Sequence, residues 1–161
     1  MVSVTPTPRT WVAAELVSAS IMNSAVRDVL NYLLVPADQA DVATAETRAS
    51  TSYGNLTTTG PTISAVTLEA GQRCRVVVSA RINPSAAVLA GFMSFEVSGV
   101  ESDLPSDADA AQMLKEGDAT VTRETIYVAG TAGSHTFQAK YKCSAATTVT
   151  FRDRRLIVQP L

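Results

Sequence analysis

His135 is the only histidine in the sequence, so it is the only candidate imidazole for acid–base chemistry. It stands between Ser134 and Thr136, just after two glycines at positions 130 and 133 that indicate a turn. A catalytic pair of Ser134 and His135 would need both side chains on one side of the backbone, but adjacent strand residues point to opposite faces. The pattern therefore favours a histidine at the start of a strand, and we expect the protein not to be an enzyme.

The segment 99–119 is a long stretch that concentrates acidic side chains. Its acids are Glu101, Asp103, Asp107, Asp109, Glu116 and Asp118, against the single base Lys115. They lack the D-x-[DN]-x-[DN]-G spacing of a calcium loop, and nothing selects two of them as a glycosidase pair. We expect a solvated acidic loop at the outer end of the fold, in which 107–114 could form a short helix.

Other binding chemistries find little support in the sequence. Cys74 and Cys143 are far apart, and with a single histidine they do not suggest a zinc site, so we expect two core residues, with a disulfide as the alternative. No glycine pattern of a phosphate-binding loop occurs, and we expect no cofactor. The net charge of −2 argues against a nucleic-acid partner, and no apolar run is long enough to cross a membrane. The N-terminus lacks the pattern of a secretory signal, so we expect synthesis in a cytoplasm.

Arginines are the remaining candidates for contacts with another protein. Arg73, Arg75 and Arg81 alternate along one predicted strand, and further arginines flank Asp153 at positions 152, 154 and 155. Such arginines can protect a sheet from aggregation or form a subunit contact. The 152–155 cluster can also be a turn between the last two strands. We select Arg73, Arg75 and Arg154 as candidate contacts with a partner or a second copy.

The first 35 residues are predicted to be an extended arm followed by one amphipathic helix. Pro6 and Pro8 oppose a helix in the arm, where the only tryptophan, Trp11, either fills a partner's pocket or covers its own domain. The apolar residues of 18–35 recur as adjacent pairs every four residues: Ile21, Met22, Ala25, Val26, Val29, Leu30, Leu33 and Leu34. Ser18 or Ser20 is the expected N-cap, and Pro36 ends the helix. The candidate contacts here are Trp11, Met22, Val26, Leu30 and Leu33.

The rest of the chain is predicted to be a linker at 36–50 and a β-sandwich at 51–161. From residue 51 the hydrophobic period changes to two, and Ala70–Gly71 indicates a hairpin between 62–69 and 72–82. The inward faces are predicted as Cys74, Val76, Val78, Ala80, Ile82, Met93, Phe95, Val97, Phe137, Ala139, Tyr141 and Cys143. Further strands are predicted at 120–128, 147–152 and 156–159. Seven or eight short alternating strands favour an all-β, jelly-roll-like sandwich, with an immunoglobulin-like sandwich as the alternative.

The N-terminal stretch resembles small virion structural proteins of tailed bacteriophages that infect actinobacteria. The similarity lies in an ordered set of segments over about 27 residues: Pro8–Glu15, Ser18–Ala19, Met22–Asn23 and Val26–Leu34. It departs from that family's pattern at Ala14 and Val29, where glycine and asparagine are common. Residues 60–61, 98–99 and 151–154 resemble, more weakly, the β-domain that often follows this N-terminal stretch in that family. The resemblance implies a minor tail, fibre, head accessory or decoration protein without enzymatic activity.

Together these patterns predict a non-enzymatic protein on the exterior of a phage particle, made in the cytoplasm of the host bacterium. The arm and helix would attach it to major capsid or tail proteins and to its own copies, with a homotrimer as the expected state. The sandwich would face outward and cement neighbouring subunits or contact the host surface. The alternative is a carbohydrate-binding module of a tail fibre, with its site near 99–118 and a host glycan as partner.

Overall fold

The computed structural model describes residues 16, 18–22, 26–27, 37–86, 89–114, 117–146 and 148–161. Helix α1 (Ala19–Met22) precedes the strands. The Ser18 hydroxyl accepts a hydrogen bond from the Ile21 amide at 3.3 Å, which confirms the N-cap predicted there. The arm at 1–15 and most of the predicted helix beyond residue 22 lie outside the described residues, and so do Trp11, Leu30 and Leu33.

The described residues form nine strands arranged in two antiparallel sheets. They are β1 (Asp38–Val42), β2 (Glu46–Arg48), β3 (Thr62–Leu68), β4 (Arg73–Pro84), β5 (Gly91–Gly99), β6 (Ala111–Met113), β7 (Ala119–Val128), β8 (Gly133–Cys143) and β9 (Val149–Pro160). Sheet A has the order β1-β9-β4-β7, with β2 also paired to β9, and sheet B has the order β3-β8-β5-β6. Because β1 and β2 pair with successive parts of β9, they act as one interrupted strand. The result is a jelly-roll sandwich, as predicted.

The core lies between the two sheets and is built by the inward faces that the alternation predicted. All twelve predicted inward side chains on β4, β5 and β8 are buried. Aromatic side chains connect the sheets, since Tyr127 of sheet A meets Phe137 of sheet B edge to face with ring centroids 5.4 Å apart. Tyr141 and Phe151 make a second such contact at 5.2 Å. Each large apolar side chain buried here contributes about 1.5–3 kcal/mol relative to exposure.

The linker predicted at 36–50 is wrong for most of its length, because it contains β1 and β2. Asp38 pairs with Val158 and Val42 with Arg154, while 46–48 pair with 149–151. The sandwich therefore begins at residue 38 rather than at residue 51. All side chains of these strands are exposed or half-buried, and the apolar alternation of β1 is limited to the small, half-buried Ala40 and Val42.

The predicted hairpin at Ala70–Gly71 is also wrong. β3 pairs with β8 in sheet B, whereas β4 pairs with β7 and β9 in sheet A, so the turn carries the chain from one sheet to the other. Gly71 has φ of +81°, and its amide donates to the Ala129 carbonyl at 2.7 Å. A Cβ there would meet no atom within 4 Å, so the positive φ is what calls for glycine.

The acidic stretch 99–119 is not a loop throughout. It holds a 3-10 helix (Asp107–Asp109), capped by the Ser106 hydroxyl, and strand β6, which pairs with the start of β5. The short helix that 107–114 could form is thus limited to three residues, because the chain turns extended at Ala110.

The two final predicted strands are one strand, β9, with a bulge at Asp153. Asp153 has φ of +50°, and the register against β4 shifts between Ser79 and Arg81. The extra residue reverses the alternation, so Phe151 and Leu156 both point into the core. The predicted turn at 152–155 is therefore wrong, and the bulge brings Arg154 to the inner side.

Candidate contact surfaces

The segment before the sandwich leaves apolar side chains uncovered. Leu16 is 91% exposed, Met22 46% and Val26 44%. Met22 and Val26 are the two predicted contact residues of this segment that the structure describes. Exposed side chains of this size lose favourable burial free energy unless another surface covers them.

Arg73 and Arg75 lie on the outer face of sheet A and are exposed. The Arg75 guanidinium lies 2.8 Å from the Glu124 carboxylate. This ion pair is solvent-exposed on the outer face of sheet A. The Arg73 guanidinium has no hydrogen bond or ion pair within the part of the chain that the structure describes. Among the described residues, Arg73 is therefore the less engaged of the two.

Exposed apolar side chains surround these two arginines. Val128 lies opposite Arg73 and is 54% exposed, and Ile126 lies opposite Arg75 and is 38% exposed. The Leu161 amide donates to the Arg73 carbonyl at 2.9 Å, and the Leu161 side chain is 55% exposed. We call these five residues the outer patch. Ile126 and Val128 alternate with the buried Tyr127, which places both on the outer face of sheet A.

Arg154 is not a surface contact, and its selection as one is wrong. Its side chain has no exposed area, and its guanidinium lies 3.5 Å from the Glu46 carboxylate. It also donates to the Thr44 carbonyl at 3.2 Å and lies 5.5 Å from the centre of the Tyr141 ring. The bulge at Asp153 causes this placement, because it turns the side chain of residue 154 towards the core.

His135 is buried near the start of β8 in a polar cluster. Its Nε2 lies 3.2 Å from the Glu101 carboxylate, and its Nδ1 lies 3.0 Å from the Gly133 carbonyl. The same Glu101 oxygen accepts from the Tyr127 hydroxyl and from the Gly130 amide. The hydrogen bond from Tyr127 is the main cause that lowers the pKa of Glu101. Ser134 is exposed whereas His135 is buried, so the two do not form a nucleophile–base pair.

Asp107, another acid of the stretch 99–119, is held by Lys142 of β8 and by Tyr53 of the segment between β2 and β3. The Lys142 ammonium lies 2.6 Å from the Asp107 carboxylate, and the Tyr53 hydroxyl donates to it at 2.8 Å. Burial would raise the pKa of Asp107, but these two hydrogen bonds lower it overall. Lys142 also lies 5.0 Å from the Tyr53 ring centre and 4.9 Å from that of Phe92. The polar groups of Asp107, Lys142 and Tyr53 therefore bond to one another, and the Lys142 ammonium lies over the Tyr53 ring.

Neither a metal site nor a disulfide is found among the described residues. No group of three or more His, Cys, Asp or Glu side chains is arranged there to hold an ion. Asp118 instead joins Arg81 at 2.8 Å and Arg152. Cys74 and Cys143 are free and buried, which confirms them as core residues. No helix in the same part of the chain has the length and apolar character needed to cross a membrane.

The sequence matches no protein-family profile and no curated protein. Among solved structures, the chain is similar to the infectious bursal disease virus VP2 subviral particle, with a TM-score of 0.48 and 10% identity over 78% of this chain and 32% of that one. It is similar to the EclA C-terminal domain, a sugar-binding protein, with a TM-score of 0.39 and 16% identity over 71% and 78%. For the enzymatically active domain of the bacteriophage CBA120 tailspike protein 4 the TM-score is 0.35, with 10% identity over 78% of this chain and 19% of that one. The chain thus spans about a third of the VP2 protein and a fifth of the tailspike.

Proposed function

We propose that this chain is a non-enzymatic accessory protein on the exterior of a bacteriophage particle, attached through its N-terminal segment. The observation that carries the proposal is the exposure of Leu16, Met22 and Val26 next to a sandwich whose core is closed without them. A segment that its own domain does not cover gains its burial from another surface. We propose that this other surface belongs to a capsid or tail protein, because residues 8–34 resemble the N-terminal segment of phage virion proteins.

The rest of the proposal follows from the division of the chain into an N-terminal segment that attaches and a sandwich that does not. The sandwich is displayed outward, and the copies associate with one another, with a homotrimer as the proposed state. The role needs no cofactor, nucleic acid or membrane. The acids of 101, 107 and 118 are engaged by internal partners, which suits a structural loop better than a ligand site.

The test measures how much of the full-length protein enters particles. We expect a Met22→Ser, Val26→Ser double variant to fold normally and to be strongly depleted from purified particles. The reason is that two apolar contacts become polar without any change in the core. The matched control is Leu114→Ser, because Leu114 is 63% exposed but lies far along the chain after β6. Quantitative mass spectrometry of the particles gives the copy number, and thermal unfolding checks the fold.

Two results would contradict the proposal. One is normal incorporation of the double variant. The other is tight, saturable glycan binding by the chain that is lost on substitution within 99–118 and kept in the double variant. The second result would favour the carbohydrate-binding function instead.

A further inference from the structure

Besides the outer patch, the sandwich has a second uncovered apolar surface, at the loop that follows β5. Leu104 is 74% exposed and Val100 is 47% exposed. Asp103 lies between them, is exposed, and has no side-chain partner within the described residues. We call Val100, Asp103 and Leu104 the loop tip.

The loop tip is held firmly although its side chains contact little. The backbone of Asp103 exchanges two hydrogen bonds with Val97, at 2.9 and 3.0 Å. Glu101, inside the same loop, is fixed by the Tyr127 hydroxyl, the Gly130 amide and His135. A loop whose backbone is already fixed loses little conformational entropy when its apolar side chains bind another surface. This rigidity is typical of a contact element.

The outer patch and the loop tip complement each other in chemistry. Each has exposed aliphatic side chains beside a charged residue that has no ionic partner among the described residues, Arg73 on the patch and Asp103 on the tip. Within one chain the two surfaces do not cover each other, since Val128 and Leu104 are both more than half exposed. The patch belongs to sheet A, whereas the tip follows β5 of sheet B.

We infer that the loop tip of one copy docks on the outer patch of a second copy, with Leu104 against Val128 and Asp103 paired to Arg73. The two contacting surfaces differ, so the contact is head-to-tail, and it forms a ring where the rotation between copies closes and an open filament where it does not. Strands lie about 4.8 Å apart and rise about 3.3 Å per residue, so the four-stranded outer face measures roughly 15 by 30 Å. That face therefore offers roughly 450 Å², about half of the roughly 800 Å² per partner of a standard stable interface, so we expect a weak contact between copies.

Engineered cysteines test which surfaces meet. We expect chains carrying Leu104→Cys, mixed with chains carrying Val128→Cys, to form a disulfide between different copies under mild oxidation. Each variant alone should remain uncrosslinked, because a head-to-tail contact never brings a residue against itself. The native Cys74 and Cys143 do not interfere, since both are buried. Leu114→Cys mixed with Val128→Cys is the control and should give no crosslink.

Charge reversal tests the same contact without a new bond. We expect Arg73→Glu or Asp103→Arg alone to weaken association of the full-length chain about tenfold in sedimentation equilibrium. The double variant should recover to within about threefold of the parent, because the pair is restored in the opposite sense between copies. The control is Arg123→Glu, which reverses an exposed arginine of β7 on the opposite side of that strand.

Clear outcomes would overturn the inference. They are a monomeric parent chain, a Val128→Cys chain that crosslinks to itself, or association that neither single reversal affects. The measurement uses the purified chain alone, whereas the proposed virion function is measured in particles. A monomeric parent chain would also contradict the proposed homotrimer, but the attachment of the chain to particles is measured separately and can stand while this inference fails.

Discussion

Arg154 is a charged residue with no exposed side-chain area, and its burial depends on its neighbour Asp153. We expect Arg154→Met to lower the free energy of unfolding by about 3 kcal/mol. Methionine can fill much of the volume, but the Glu46 carboxylate and the Thr44 carbonyl would lose the guanidinium that bonds them. Urea unfolding followed by circular dichroism measures the difference.

Arg155 offers a matched control at the next position. Its guanidinium lies 2.6 Å from the Asp41 carboxylate, but both side chains are about half exposed. We expect Arg155→Met to change the free energy of unfolding by only about 0.5 kcal/mol, as is usual for surface ion pairs. A loss below 1 kcal/mol in Arg154→Met, or an equal loss in both variants, would contradict the structural role of the buried pair.

At the scale of elements, Glu101 ties the loop after β5 to β7 and β8. We expect Glu101→Gln to lower the free energy of unfolding at pH 7 by on the order of 1–2 kcal/mol, because it weakens three hydrogen bonds to a carboxylate. The pKa of Glu101 is lowered in the folded chain. Its contribution is therefore complete above the ordinary glutamate pKa of about 4.3 and is lost as the pH falls below it.

The pH dependence separates this effect from a simple packing defect. Between about pH 5 and pH 3 the parent should lose stability more steeply than Glu101→Gln, since glutamine has no proton to bind. Glu124→Gln is the control, because Glu124 pairs with Arg75 on the open face with its side chain 52% exposed. Parallel stability curves for the parent and Glu101→Gln across this range would refute the assigned role of the carboxylate.

The elements also explain which parts of the fold the sequence could predict. Inward faces such as that of β4 were predictable, because a half-buried strand must alternate. The partner of β4 was not, since two residues such as Ala70–Gly71 can close a hairpin or cross between sheets while each strand keeps its alternation. β1 was missed because its alternation is limited to Ala40 and Val42, which are small and only half-buried at the edge of sheet A.

The candidate surfaces follow the same logic. Arg73 was predictable as an outward residue from the alternation of β4, whereas Arg154 was misplaced because a bulge shifts the alternation by one. The loop tip was missed because exposure of Leu104 depends on how the loop is held by Glu101 and Val97. No local pattern in 99–104 reports these contacts between distant residues.

At the scale of the whole molecule, the two cysteines report on whether the sheets open together. Cys74 belongs to sheet A and Cys143 to sheet B, and both side chains lie in the core. Burial raises the pKa of Cys74 to about 12 and also raises the pKa of Cys143. The reactive thiolate is therefore scarce at pH 8 in the folded state, and access requires the core to open.

We expect both thiols to react with a labelling reagent at one common slow rate, set by global unfolding of the chain. The reason is that their side chains fill a single core, so neither sheet can expose its cysteine while the other stays packed. Peptide mass spectrometry over a labelling time course distinguishes the two sites, and guanidinium should release two thiols per chain without a reductant. Faster labelling of Cys143 than of Cys74 would show that sheet B opens separately, and fewer than two thiols would reveal a disulfide.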